Sequence, residues 1–195
     1  MATANDIINI ARGELGYTES PRGSNRTKYG KWYGLDGQPW CMMFCQWVCH
    51  QAGIEPPTRT ASCGALLSAA RRAGQAVQGK YRPGDLLIFD FDRNGSTDHC
   101  GFVESVDGDT LTTIEGNTGA GNDANGGQVQ RRTRSVSLVV GAWRPPFAVQ
   151  RAPMTKGRAV ELLRTKAGLS AATITFLDSY RYGDDLLIKL GQAME

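Results

Sequence analysis

Residues 98–119 read DHCGFVESVDGDTLTTIEGNTG. Residues 99–106 and 109–117 are two runs with the apolar, β-branched character of strands. Asp107–Gly108 between them is a tight-turn dipeptide, so the segment predicts a β-hairpin. Working outward, Arg82–Pro83–Gly84–Asp85 is a turn and LLIFDF (86–91) a buried strand. A Gly- and Asn-rich loop covers 119–127, and 128–134 and 136–143 read as two further strands. Upstream the period is helical. Ile7, Ile10, Ala11 and Leu15 fit a first helix capped by Thr3 or Asn5; a second starts at Cys41 and stops near Gly53, and a third covers 63–73. Residues 17–34, YTESPRGSNRTKYGKWYG, read as a polar connector. Helices first and strands after predict an α+β fold, with N-terminal helices packed on an antiparallel sheet and the domain ending near Phe147. Residues 148–154 read as a linker. Residues 155–195 return to helical spacing as three short helices, with Gly168 and Gly183 as stops and Ser170 and Asp184 as starts; so short a segment docks, self-associates or forms a small bundle.

The chain has 195 residues, 41% hydrophobic and 21% charged, which is the profile of a globular protein. The net charge of +3, without a basic arm, argues against a nucleic-acid partner. No apolar run is long enough for a spanning helix, so membrane insertion is not expected. The start, MATANDIINIARGEL, lacks a charged segment followed by an apolar core, so no signal peptide is expected.

The segment GQPWCMMFCQWVCH (37–50) sets Cys41 at the start of an apolar helix, where backbone N–H groups favour a thiolate. Cys45 and Cys49 follow at helical spacing. Three thiols on one helix neither pair readily nor surround a tetrahedral ion, so Cys45 and Cys49 read as small buried residues. Ser62–Cys63–Gly64 has no histidine partner in view and reads as structural. Of the two histidines, His50 lies too far along the helix from Cys41 to serve it. His99 opens a strand, and Glu115 and Asn117 end the next one. Cysteine, histidine, then an acid or amide is the papain-like order of a thiol hydrolase.

Taken together, NRTKYGKWYG (25–34), GQPWCMMFCQWV (37–48), RPGDLLIFDFD (82–92), DHCGFVESV (98–106) and IEGNTG (114–119) resemble the CHAP domain, the cysteine, histidine-dependent amidohydrolase/peptidase module of many phage endolysins and bacterial wall hydrolases. The resemblance covers roughly residues 5–147 and excludes the helical tail. It implies a papain-like catalytic domain that cuts amide bonds in peptidoglycan, as an N-acetylmuramoyl-L-alanine amidase or a peptide endopeptidase. It implies Cys41 as nucleophile, His99 as base, Glu115 as the residue orienting His99, and Asn117 as a further polar member, with the Cys41 N–H in the oxyanion hole and Gln38 as a helper. No cofactor is required for the chemistry.

The loop DFDRNGSTDH (90–99) places Asp90, Asp92, Asn94 and Gly95 at the first, third, fifth and sixth positions of a calcium loop, with Asp98 at the ninth. The twelfth is Gly101 in place of a bidentate Glu, so Ca²⁺ and a plain acidic turn both remain readings. Tyr29, Trp32, Tyr33 and Trp40 precede the nucleophile; they read either as a substrate groove, to which Tyr29, Trp32 and Trp40 are assigned, or as a loop packed on the core. The expected partner is a cell wall of Gram-positive type, with the tail as a wall-binding or self-association module. An enzyme of this kind without a signal peptide would be made in a host cytoplasm and reach the wall after holin-type release. The alternatives are a non-catalytic wall-binding or virion structural protein and an intracellular cysteine protease.

Overall fold

The structure is a computed structural model that describes residues 2–147 and 154–194. The chain divides into two compact units, Met1–Ala148 and Val149–Glu195. In the first unit, helices α1 (Ala4–Gly13), α2 (Lys28–Tyr33), α3 (Cys41–Gln51) and α4 (Cys63–Arg72) precede strands β1 (Ala76–Val77), β2 (Leu86–Phe89), β3 (His99–Asp107), β4 (Thr110–Thr118), β5 (Gln128–Ser135) and β6 (Val139–Trp143). The strands form one antiparallel sheet in the order β1-β6-β2-β3-β4-β5. The α+β class expected from the sequence is therefore the observed one.

Local chemistry explains most element ends. Thr3 caps α1 with a capping box closed by Asp6, and Ile7 and Ala11 face inward. Ser62 caps α4 through its side chain. Helix α3 is buried on nearly every side, from Cys41 through Cys49, which is why its sequence is apolar without a polar stripe. It packs on the sheet face formed by Leu86, Ile88, Cys100, Phe102 and Ile114. The opposite face gathers Leu87, Phe89, Val103 and Leu111. This alternation along β2 and β3 follows the two-residue strand period.

Three stretches depart from the sequence reading of this unit. The strand expected over 136–143 starts at Val139, because Val136–Leu138 form a 3-10 turn capped by the Ser135 side chain. The connector contains α2, capped by the Thr27 side chain and ended by Gly34 at φ 93°. Its six residues carry too little periodicity to be seen, and burial of Tyr29 and Gly30 holds the turn. Strand β1 is too short to leave a sequence signal and exists through pairing with β6.

The second unit contains α5 (Lys156–Thr165), α6 (Ala171–Asp178) and α7 (Gly183–Ala193) around Leu163, Ile174 and Leu187. Thr155 and Ser170 cap the first two helices. Gly183 begins α7 rather than ending α6, because a Cβ there would meet the Asp178 carbonyl oxygen at 2.4 Å. Apart from Met154, the expected linker 148–154 lies outside the described residues.

The seat of α3 on the sheet depends on Gly116 in β4, where a Cβ would lie 2.6 Å from Phe44 Cβ. We expect Gly116→Ala to cost about 1–3 kcal/mol, the usual range for overpacking. Urea unfolding should show a lower midpoint with an unchanged slope.

Candidate active site

Cys41 is the first residue of α3, and Trp40 before it provides no side-chain cap. The first-turn N–H groups thus have no side-chain acceptor competing for them, and the positive end of the helix points at the Cys41 sulfur. His99 opens β3 and Cys100 follows it. Cys41 neighbours both residues: its sulfur lies within 4.8 Å of the Cys100 sulfur, and the His99 imidazole acts on it electrostatically, though neither ring nitrogen makes an aligned hydrogen bond.

Glu115 in β4 lies behind His99. Its Oε2 is 3.1 Å from His99 Nε2, with both side chains fully buried. The ring is not aligned for a linear hydrogen bond, so charge holds this contact. Glu115 reaches the imidazole across Gly101, where a Cβ would lie 2.5 Å from Glu115 Cγ. That close approach accounts for the glycine in DHCG.

Arg134 in β5 completes the row. Its Nε donates to Glu115 Oε1 at 2.8 Å and its Nη2 to Oε2 at 2.6 Å, a bidentate pair. Thr113 Oγ1 donates to Oε1 at 2.5 Å. Phe91 and Phe89 wall this side: Phe91 lies 4.7 Å under the Arg134 guanidinium and 5.7 Å from the His99 ring, and Phe89 packs beside it.

The charges follow from this geometry. Burial pushes the Glu115 carboxyl up, but Arg134 and His99 outweigh it and lower its pKa to about 2. Burial alone would depress His99; the partners Cys41 and Glu115 outweigh it and raise the imidazole to about 9. Hydrogen bonds from Cys100, then Cys63, hold the Cys41 thiol well below its ordinary range against burial, and the adjacent His99 adds to this. At neutral pH the buried row reads thiolate, imidazolium, carboxylate, guanidinium, with no net charge. Such an arrangement suits nucleophilic attack by sulfur, with His99 holding the proton for a leaving group.

Asn117 stands apart from this row. It adopts φ 60°, and its Oδ1 accepts from Gly127 N at 3.2 Å while its Nδ2 donates to Asn125 Oδ1 at 2.9 Å. Both ends of the amide are engaged in pinning the 119–127 loop. Tyr29 and Trp40, assigned to a substrate groove, are 0% exposed and stack on each other at 5.3 Å between ring centroids. They are core residues, a correction that follows from their burial. Trp40 Nε1 donates to buried Glu19 Oε2 at 3.3 Å, and Asn25 N donates to the same oxygen at 3.0 Å, so Glu19 folds the loop that presents Cys41. Gln38 is exposed on that loop. Trp32 is half-buried beside His50, at 5.1 Å between rings, in a pocket shared with Gln46, Ile54 and Arg59.

Carboxylate oxygens of Asp90, Asp92 and Asp98 lie within 4.8 Å of one another. Asp90 accepts from the N–H groups of Asn94 and Gly95, at 3.2 and 2.8 Å. Asn94 Nδ2 donates to Asp92 Oδ2 at 2.8 Å, and Phe91 N donates to Asp98 Oδ2 at 2.5 Å. Gly101, at the calcium loop's twelfth position, adds no carboxylate. Hard oxygen donors of this kind fit calcium chemistry, with fewer ligands than a complete loop.

Sequence reasoning missed Arg134, Thr113, Glu19 and the placement of Cys63. The Sγ atoms of Cys41, Cys63 and Cys100 all lie within 4.8 Å of one another. The signal for Arg134 was faint: QVQRRTRS is a polar strand in which only register tells which arginine turns inward.

Residues 32–117 match the family model of the CHAP domain. The CHAP match begins in α2, contains Cys41, His99 and Glu115, and ends on Asn117; Arg134 lies beyond it. Among solved structures, the wild-type endolysin LysIME-EF1 superposes with a TM-score of 0.51 at 15% identity, over 76% of this chain and 67% of that one. Ly7917 gives 0.47 at 19% identity, over 74% and 62%. An NlpC/P60 family protein from Bacillus cereus gives 0.44 at 19%, over 73% and 40%. At these identities the likeness is one of fold, carried by the LysIME-EF1 superposition. The chain spans less than two thirds of Ly7917. No curated protein sequence matches it.

Removing Arg134 while keeping Glu115 would leave a buried carboxylate uncompensated. We expect Arg134→Met to cost about 3–5 kcal/mol at neutral pH, the range for breaking a buried ion pair. Glu115 is lowered from 4.5 to about 2, so its contribution is present above pH 4.5 and lost as pH falls through 2. The gap between wild type and variant in denaturant unfolding should be full above pH 4.5 and shrink below it.

Proposed function

We propose that this chain hydrolyses amide bonds of bacterial peptidoglycan through Cys41. The observation that carries this reading is the buried row of Cys41, His99 and Glu115 within a CHAP match, completed by Arg134 from beyond the match. The Cys41 thiolate attacks the amide carbonyl carbon. The developing oxyanion is received by the Cys41 N–H at the start of α3. His99 gives its proton to the departing amine as the C–N bond breaks, leaving a thioester. Neutral His99 then takes a proton from water, whose oxygen attacks the thioester, and the thiolate leaves. Glu115 keeps the imidazole in place and stabilises its charge. Arg134 keeps Glu115 ionised.

The proposal extends to an endolysin of phage type, released to a Gram-positive wall, and to either the muramoyl–alanine bond or a bond within the peptide. It assigns the three-helix unit to wall binding or self-association, in keeping with Phe176, Tyr180 and Tyr182 exposed on its surface. Calcium held by Asp90, Asp92, Asn94 and Asp98 would tie down the loop before His99 without entering the reaction.

The test is digestion of purified Gram-positive peptidoglycan by wild type and Cys41→Ala, with and without calcium, read by mass spectrometry. New termini should appear with wild type only. A freed lactyl group identifies an amidase, and a new amino-acid terminus an endopeptidase. Equal products from the variant, or none from wild type on several wall types, would contradict the reading.

A further inference from the structure

The catalytic row uses one cysteine, yet three thiols meet beside it. Cys41 begins α3, Cys63 begins α4, and Cys100 lies in β3. Three separate elements thus converge on one point, unlike Cys41, Cys45 and Cys49, which share a helix. The Sγ atoms of Cys41, Cys63 and Cys100 are mutually within 4.8 Å. All five cysteines are free, so no disulfide uses up this set.

We propose that Cys41, Cys63 and Cys100 form a site for a soft divalent cation of the Zn²⁺ class, and that filling it silences the nucleophile. Tetrahedral zinc holds thiolate sulfur at about 2.3 Å, which sets the sulfurs about 3.8 Å apart. Each pair here needs to close by no more than about 1 Å, within reach of small side-chain rotations. Soft sulfur donors suit such an ion, and two of the three sulfurs sit at helix N-termini. Against the opposing effect of Cys100, Cys41 and burial nonetheless hold Cys63 well above its ordinary range, and burial holds Cys100 up likewise, so the metal must displace both protons. The α3 and α4 ends alone would not make a site; the independent observation is Cys100, a fully buried thiol brought by β3 to within 4.8 Å of both other sulfurs.

Access and charge are both consistent with loading. Cys41 and Cys63 are each 7% exposed while Cys100 is 0% exposed, so an ion enters from the Cys41–Cys63 edge. Binding forms three metal–sulfur bonds. The thiol protons of Cys63 and Cys100 go to solvent, because Cys41 is already ionised. Three thiolates and a dication leave one negative charge, which the imidazolium of His99 balances. Nothing is oxidised or reduced. The remaining coordination position is left to water. The ion competes with substrate for the Cys41 sulfur, so this is an inhibitory site. The site itself does not depend on the catalytic reading; only the silencing does.

The full chain, reduced with a phosphine and stripped of metal, is titrated with Zn²⁺ against a chromophoric chelator. One equivalent per chain should bind. Cys63→Ser should weaken binding by more than the ~10–100-fold that loss of a mere supporting residue costs. Cys49→Ala, which removes a thiol of α3 outside the cluster, should bind as wild type. Because a variant can fail to fold, Co²⁺ is also added to the wild type. Thiolate-to-metal charge transfer and the visible bands of a tetrahedral ion are expected, whether or not the protein cleaves peptidoglycan. Absence of tight binding by wild type, a cobalt spectrum without thiolate charge transfer, or unchanged affinity in Cys63→Ser would each overturn the proposal. Where turnover is measurable, one equivalent of Zn²⁺ should abolish it and a chelator restore it; turnover unaffected by bound zinc would overturn the silencing.

Discussion

The bidentate pair between Arg134 and Glu115 is the interaction on which the site depends. A carboxylate with no exposed surface is costly unless its charge is matched nearby. Arg134 supplies that match from β5, and Thr113 adds a hydroxyl donor. With Glu115 fixed as an anion, His99 keeps its proton despite burial. With His99 charged and two neighbouring thiols donating, Cys41 loses its own. Each charge is the condition of the next, so the row loads as a unit.

The fold exists around this row in specific ways. Antiparallel pairing places His99 and Glu115 on adjacent strands, and Gly101 clears the path between them. Gly116 lets Phe44 approach β4, which seats α3 so that its first residue reaches the end of β3. Glu19 gathers the indole N–H of Trp40 and the backbone of the preceding loop, and so fixes the entry into α3. Phe89 and Phe91 provide the apolar wall that makes the charges interact strongly.

Much of this was legible in the sequence because it is local. The Asp107–Gly108 turn, the strands around it, the helix starting at Cys41 and the caps Thr3 and Ser62 are short-range signals, and the structure follows them. The order Cys41, His99, Glu115 carried the site. What escaped depends on register or on which side of a residue is buried. Arg134 is one of several arginines on a polar strand, selected by pairing with Leu111. Cys63 reaches Cys41 only because α4 packs where it does. Tyr29 and Trp40 look the same in sequence whether they line a groove or fill a core, and here they fill the core. Asn117 reads as catalytic by its neighbour Glu115, yet its backbone turns to the left-handed region and its amide serves the following loop.

The most direct test of the charged row is the rate at which iodoacetamide alkylates Cys41, followed by peptide mass spectrometry across pH. A thiolate paired with imidazolium should react at a nearly constant rate from neutral pH down into the acid range, because its pKa lies well below the ordinary value of 9.0. A rate that climbs with pH and inflects near 9.0, as for an isolated thiol, would contradict the account.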